Sequence, residues 1–325
     1  MQAERSKPQF LDYDKDMSRS TLPNGVELLY RQNTENELSD LVFIAKKGTD
    51  QNLSLSFASN LLGYLGTDKL ATEEYQKALY NEAAEAWVGS SRNQTEFYLY
   101  GLQESLPTAM ALMEDHVLTA QPDDEVLKEI VSDVIKSHND EKKDQGSCFS
   151  HLMQYGMFGE DVVKHRTATP KDMKRLKAAD LLAELRAVVH AIERVVYYGP
   201  LSENEVKDML ASSKLLKQAD ASKREMIERV QRQQVAKAEV LVAPYKANNS
   251  FIGSYANWGE VYSPKDVAVI TLFNEYFDGS MGSIVFQELR EARGLCYGVV
   301  AGYATANYKD ECNYFIRRIM SQNDK

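Results

Sequence analysis

The sequence predicts an α+β protein built from two similar domains. Three observations carry this. The chain has 325 residues, more than one average domain needs and the usual material for two. Hydrophobic residues make up 43% and charged residues 26%, the balance of an ordinary globular chain with a sizeable core. One order of elements, strand, strand, helix, turn, helix, strand, runs through 26–89 and again through 240–299. A shift of 210 positions lays Leu79 on Leu289 and Trp87 on Tyr297, the mark of an internal duplication.

Residues 1–17 form a polar lead-in. Asn24-Gly25 makes a tight turn into a strand at 26–30, and a second strand follows at 41–45. Leu53, Phe57, Leu61 and Leu65 recur every four residues and predict a helix over 53–65, ended by Gly66-Thr67. A second helix is expected over 72–86, then a strand pair over 87–102. Two long helices come next. One spans 105–118. The other starts near Asp123 with Asp123, Asp124 and Glu125 at its positive end. After a polar break at 140–146, helical pieces are expected at 150–157 and 170–190, and a strand at 195–198. Ser202 and Glu205 make a capping box for one more helix.

Residues 217–238 are almost wholly polar and predict a linker. Beyond it, 240–243 and 251–256 read as strands. Ser263-Pro264-Lys265-Asp266 combines a capping serine, a first-turn proline and an early acid, a strong helix start. That helix carries Val269, Leu272, Phe273 and Tyr276. Further strand material lies within 301–319. The expected domains are therefore 1–216 and 239–325, joined by 217–238. The second copy stops soon after its strands, so the second domain is expected to be C-terminally incomplete and the chain to be a fragment of a larger protein.

Charge and cysteine usage exclude several classes. The formal net charge is −10, which argues against a nucleic-acid backbone binder and disfavours anionic membrane surfaces. No apolar run approaches a membrane span. Cys148, Cys296 and Cys312 form neither a disulfide framework nor a C-x-x-C pair. The glycine-rich turn at 279–283 lacks the ending of a phosphate loop, and no G-x-S-x-G elbow is present.

The organising stretch is 277–299. It opens on a turn at Asp278-Gly279 with a further glycine at 282, continues as a helix from Ser283 to about Arg293, stops at Gly294, and resumes as a strand through Leu295, Tyr297 and Val299. Phe286, Leu289, Arg290, Glu291, Gly294, Leu295 and Tyr297 stand in the order F-x-x-[IL]-R-E-x-x-G-L-x-Y. This resembles the second domain of the pitrilysin–insulinase family of zinc metallopeptidases, the inverzincins. The resemblance runs from about Leu22 to the C-terminus and is most specific at 277–299. It implies two domains of the mitochondrial-processing-peptidase-like type, each a mostly antiparallel sheet with helices on one face. It also implies that Arg290 and Tyr297 bind substrate and support the transition state over a zinc held elsewhere. Read without the family, Tyr297 packs in a core and Arg290 pairs with Glu288 or Glu291.

The family's catalytic domain carries H-x-x-E-H shortly before a G-T pair. Two histidines four apart on one helix face ligate Zn²⁺, and the glutamate serves the metal-bound water. Anchored on Gly66-Thr67, the histidine positions fall here on Phe57 and Leu61, and the glutamate position on Asn60. Neither apolar side chain can bind zinc, and an amide cannot take a proton as a carboxylate does. Asp133 lies near the position of the family's further acidic ligand and, without histidines, reads as an ordinary helix acid. None of the five histidines sits four residues from another. The chain thus looks like the family's non-catalytic half, which closes like a clamshell with the catalytic half around an unfolded peptide. No metal or cofactor is expected in this chain, and zinc is expected in the catalytic half.

That catalytic half would lie on the same polypeptide or on a partner subunit, with peptide as substrate and neither nucleic acid nor a membrane span involved. The expected compartment is a bacterial periplasm or cell envelope, as part of a larger exported protein. A stand-alone structural or assembly subunit of the same fold is the alternative, and an enzyme of unrelated chemistry a third reading. A polar connector opens more readily than a packed core. Limited proteolysis is therefore expected to cut first within 217–238, and a first cut within 53–102 would move the boundary.

Overall fold

The computed structural model describes residues 12–220 and 229–324. The chain divides into two compact units. One comprises the residues up to Ser132 with Ala168–Arg229, and the other Asp133–Thr167 with Val230 onward.

In the first unit, a short helix α1 (Tyr13–Asp16) precedes strands β1 (Ser18–Thr21), β2 (Glu27–Gln32) and β3 (Leu38–Ala45). Helices α2 (Ser54–Leu62) and α3 (Thr72–Asn81) lead to the hairpin of β4 (Ala84–Ser90) and β5 (Thr95–Leu102), followed by α4 (Leu106–Thr119). Helix α5 (Asp124–Glu141) begins in this unit and ends in the second, which also takes α6 (Gln145–Phe158) and α7 (Glu160–His165). The first unit resumes with α8 (Pro170–Met173), α9 (Ala178–Val189), β6 (Ile192–Gly199), α10 (Glu203–Ala211) and α11 (Lys214–Gln218).

These strands form one six-stranded sheet in the order β1-β2-β6-β3-β5-β4. Its pairs are antiparallel except β2 with β6. Side chains alternate across it: Leu41, Phe43, Ala45, Phe97, Leu99, Val195 and Tyr197 are buried on the face that the helices cover. Polar bonds fix the late-arriving strand β6. The Tyr197 hydroxyl and the Ser39 hydroxyl both donate to Gln103 Oε1 at 2.6 Å, and the Leu201 amide donates to the Tyr197 hydroxyl at 3.1 Å. Glu114, buried on α4, accepts from the Ser213 hydroxyl and from the Lys214 amide at 2.8 Å, and so anchors the start of α11.

The second unit contains β7 (Asn249–Ala256), α12 (Pro264–Asp278), a π-helical turn (Phe286–Glu291), β8 (Gly298–Ala304) and β9 (Tyr314–Gln322). Its sheet is antiparallel in the order β7-β9-β8. This repeats β3-β5-β4 of the first unit, with α12 and the π-turn where α2 and α3 stand, so the duplication is one of topology. Met153, Met157 and Phe158 of α6 pack with Tyr255, Tyr314 and Ile316, and Phe149 stacks on Phe251 at 5.3 Å. Residues 133–167 thus pack with 230–325, whereas chain order alone had grouped them with 1–216.

Several local expectations are corrected. Residues 240–243 form no strand: Val240 and Val242 are exposed, and no strand among the described residues pairs with them. The helix expected to 86 ends at Asn81, because Ala83 takes a positive φ of 47° and β4 begins at the next residue. The helix expected over 170–190 breaks into α8 and α9. Ser263 makes no side-chain cap bond. Of the expected linker, 221–228 lies outside the described residues. Next to it, the Gln233 amide donates to Met157 O at 2.8 Å and the Val235 amide to Asn257 O at 2.9 Å.

Gly199 closes β6 against the Tyr197–Gln103–Ser39 bonds. A Cβ there would lie 2.3 Å from both the Ser39 and the Tyr197 hydroxyl oxygens. Both side chains are buried and hydrogen-bonded, so neither can swing away. Gly199→Ala is therefore expected to destabilise the first unit by about 1–3 kcal/mol, the usual cost of overpacking. Chemical denaturation would read this as a lower midpoint, and an unchanged midpoint would show that the bonds give way freely.

Candidate functional site

The motif residues are placed by an irregular helix. From Phe286 to Glu291 the backbone adopts the wider π-turn, with the Ala292 amide donating to Gln287 O at 2.8 Å. Gly294 takes a φ of 55° and ends the helix, and the Leu295 amide donates back to Leu289 O at 2.8 Å. A side chain at 294 would be strained in that conformation. The reversal brings 295–297 back beside the helix. Tyr297 stands immediately before β8, not within the strand as the alternation suggested.

Arg290 and Tyr297 come together. The guanidinium carbon lies 5.4 Å from the Tyr297 ring centroid and 4.7 Å from that of Phe286, one helical turn back. Arg290 Nε is 3.7 Å from Glu291 Oε1, a loose contact across two part-exposed side chains. Glu288 pairs instead with Arg293 at 3.1 Å. Tyr297 is 77% exposed, which rules out a core role. Among the described residues its hydroxyl has no hydrogen-bond partner. The aromatic rings therefore hold the cation between them and leave the tyrosine exposed to whatever approaches.

Beside Tyr297 is a hollow of about 390 Å³ that sequence reasoning missed, lined by Asn249, Gly294, Leu295, Cys296, Met320 and Gln322 among others. Its residues come from both ends of the unit's chain, so only the pairing of β7 with β9 reveals it. Burial pushes the Cys296 thiol up, against the opposing pull of Arg290.

The positions that the resemblance aligns with zinc ligands lie on α2 in the first unit. Phe57 is 8% exposed, Leu61 is fully buried and Asn60 is exposed. Phe57 and Leu61 belong to the helix's packed face with Leu55, Ala58 and Leu62. These residues do not fit a zinc ion: two core hydrocarbons stand where nitrogen ligands would have to be. Asp133 is exposed on α5, and among the described residues no group of three or more His, Cys, Asp or Glu could hold a metal. Local partners hold several histidines: His116 lies 2.9 Å from Leu65 O, His190 is 2.6 Å from Gln218 O, and His151 approaches Glu141. Burial lowers the His116 pKa, which keeps that ring neutral inside the core.

The chain is similar to known proteins in sequence over part of its length and in fold over nearly all of it. A family profile described as the peptidase M16 inactive domain matches residues 194–325. That match is confined to the C-terminal part of the chain. The fold of the whole chain agrees. The crystal structure of a peptidase M16 inactive domain from Pseudomonas fluorescens superposes with a TM-score of 0.77 at 16% identity, covering 94% of this chain and 74% of that one. The periplasmic protease PqqL from Escherichia coli gives a TM-score of 0.77 at 13% identity, over 98% of this chain and 37% of that one. The ferredoxin protease FusC, in complex with Arabidopsis ferredoxin, gives 0.76 at 12% identity, over 99% and 37%. The chain thus spans little more than a third of either protease. Among curated proteins no sequence matches. The resemblance on 277–299 is therefore to the right family and to its inactive side. No helix among the described residues is long and apolar enough to cross a membrane.

With Phe57 and Leu61 in the core, the chain is expected to retain no stoichiometric zinc after loading and desalting, as read by elemental analysis. One tightly held zinc per chain, lost in Asp133→Asn, would overturn the assignment.

Proposed function

We propose that this chain is the non-catalytic, substrate-holding half of a zinc-dependent endopeptidase, and that Arg290 and Tyr297 act from it on a peptide at the catalytic half. The observation that carries this reading is the exposed Tyr297 hydroxyl, held beside a guanidinium that two aromatic rings orient. A purely structural role would need neither the exposure nor the pairing. Two of the proteins that share the fold are proteases, and one was solved with a protein bound, which supports a half that meets polypeptide.

The chemistry is local. Hydrolysis of a peptide bond builds negative charge on the carbonyl oxygen, and a positioned hydroxyl donor stabilises that charge more than it stabilises the ground state. The guanidinium supplies positive potential and a planar set of donors for the peptide backbone. The zinc belongs to the other half, on the same polypeptide or on a partner subunit, and this chain contributes no ligand to it.

In the complete protein, Tyr297→Phe is expected to cut peptide turnover roughly tenfold to a thousandfold, the range for losing one transition-state donor. Folding should be unchanged because the ring that faces Arg290 remains. Arg290→Ala should lower turnover and weaken peptide binding together. Wild-type turnover in both variants would make the chain scaffold alone, a structural or assembly subunit.

A further inference from the structure

The two copies of the duplicated sheet treat their outer strand differently. In the second unit the edge strand is β8, and α12 plugs it. Asn274 Nδ2 donates to Tyr303 O at 2.8 Å, the Tyr303 amide donates to Asn274 Oδ1 at 2.9 Å, and the Ala301 amide donates to Asp278 Oδ2 at 2.6 Å. Two side chains one helical turn apart thus satisfy the outward backbone groups of alternate strand residues. In the first unit the corresponding edge is β4, which pairs only with β5. Among the described residues no side chain bonds the backbone of 84–90. An open edge is a template for another strand, and proteins commonly cover or charge it.

This edge lies beside a groove of about 620 Å³ between β4 and α3, lined by Gln76, Lys77 and Tyr80 from the helix and Glu85 and Trp87 from the strand. Tyr80 is 83% exposed and Trp87 48%. Under the shift of 210 that relates the copies, Tyr80 and Trp87 fall on Arg290 and Tyr297. The second unit therefore has a cation against its aromatic ring, and the first has two aromatics and no cation at these positions. Trp87 is fixed by stacking on Tyr98 at 5.2 Å, and Tyr98 in turn donates a hydrogen bond to Asp40. The strand register sets Glu85 beside Tyr100, with Asp40 on the far side of Tyr100, and Gly89 beside Glu96, on the face that carries Trp87. That face combines aromatic rings with three carboxylates. Lys77 lines the groove from the helix side.

We propose that β4 is a docking strand for an extended, cationic peptide segment. The segment adds to the open edge by main-chain hydrogen bonds, with lysine or arginine side chains against Trp87 and Glu85 and alternate side chains toward Tyr80. Strand addition gives affinity through the backbone and selectivity through every second side chain, and ring faces together with carboxylates select positive charge. This site lies wholly within the first unit and does not depend on the role given to Arg290 and Tyr297.

Fluorescence anisotropy with the full 325-residue chain tests it, using a labelled decapeptide of alternating arginine and valine. Saturable binding is expected. Trp87→Ala should weaken it roughly five- to thirtyfold, in keeping with the loss of a cation–aromatic contact. Glu85→Gln should weaken it less, and methylation of successive peptide amides should abolish it. Tyr297→Phe should leave it unchanged, so its failure and that of the Tyr297 reading are separable. All three protein substitutions fall on exposed side chains, and circular dichroism verifies the fold. Equal binding of a glutamate-for-arginine peptide, or undiminished binding by Trp87→Ala, would overturn the proposal. So would concentration-dependent self-association that Trp87→Ala abolishes, because the edge would then be occupied by a second copy of the chain.

Discussion

The first unit depends on β6 entering between two strands that precede it by about 150 residues. It pairs parallel with β2 on one side and antiparallel with β3 on the other. Without it, β1-β2 and β3-β5-β4 would be two small ribbons, each too narrow to be stable alone. Burial drives the insertion, since Ile192, Val195 and Tyr197 lie wholly inside. The Tyr197–Gln103–Ser39 bonds then fix its end. Such a pairing is long-range and must close a large loop of chain, which makes it slow to form. The sheet it completes is the floor on which α2 and α3 rest, and hence sets the placement of Phe57, Leu61 and the groove along β4.

Duplication supplied two versions of one layout, and each has kept a different part. In the first unit the helix that would bear metal ligands is packed apolar, with Leu55, Phe57, Ala58, Leu61 and Leu62 all buried. In the second unit the corresponding helix, α12, buries none of its residues and directs Asn274 and Asp278 onto the edge strand. The same position in the layout thus serves as core in one copy and as a side-chain clamp in the other. Sequence identity need not survive such a division of roles, because the backbone pattern imposes the order of strands and the side chains decide what each element touches.

The main elements were legible where local chemistry was strong. The Ser202 capping box forms with both of its bonds, α2 follows its four-residue apolar spacing, and Gly294 stops its helix with positive φ. Composition and spacing could not say that 240–243 would find no partner strand, since pairing is not a local property. Nor could they show that α6 belongs with β7. That contact follows from Phe149 and Met153 meeting Phe251 and Gly253 across about 100 residues. At the candidate site, the identity of Arg290 and Tyr297 came from the motif, but their approach did not. It depends on a backbone irregularity between them that no apolar periodicity announces.

That irregularity gives the motif a phase. An α-helix turns about 100° per residue, and a π-turn accommodates one residue more in the same span. Arg290 would stand near Phe286 in a regular helix too, the two being four residues apart, but the extra residue sets the direction in which the chain leaves toward Gly294 and so where Tyr297 meets the guanidinium. Loss of Ala292 or Arg293 would shorten the turn that follows, and everything after it would rotate by roughly a quarter turn relative to Phe286. Arginine and tyrosine would both persist in the sequence, yet no longer address the same point in space. A single-residue deletion in this segment would thus erase the site while sparing every residue that defines it.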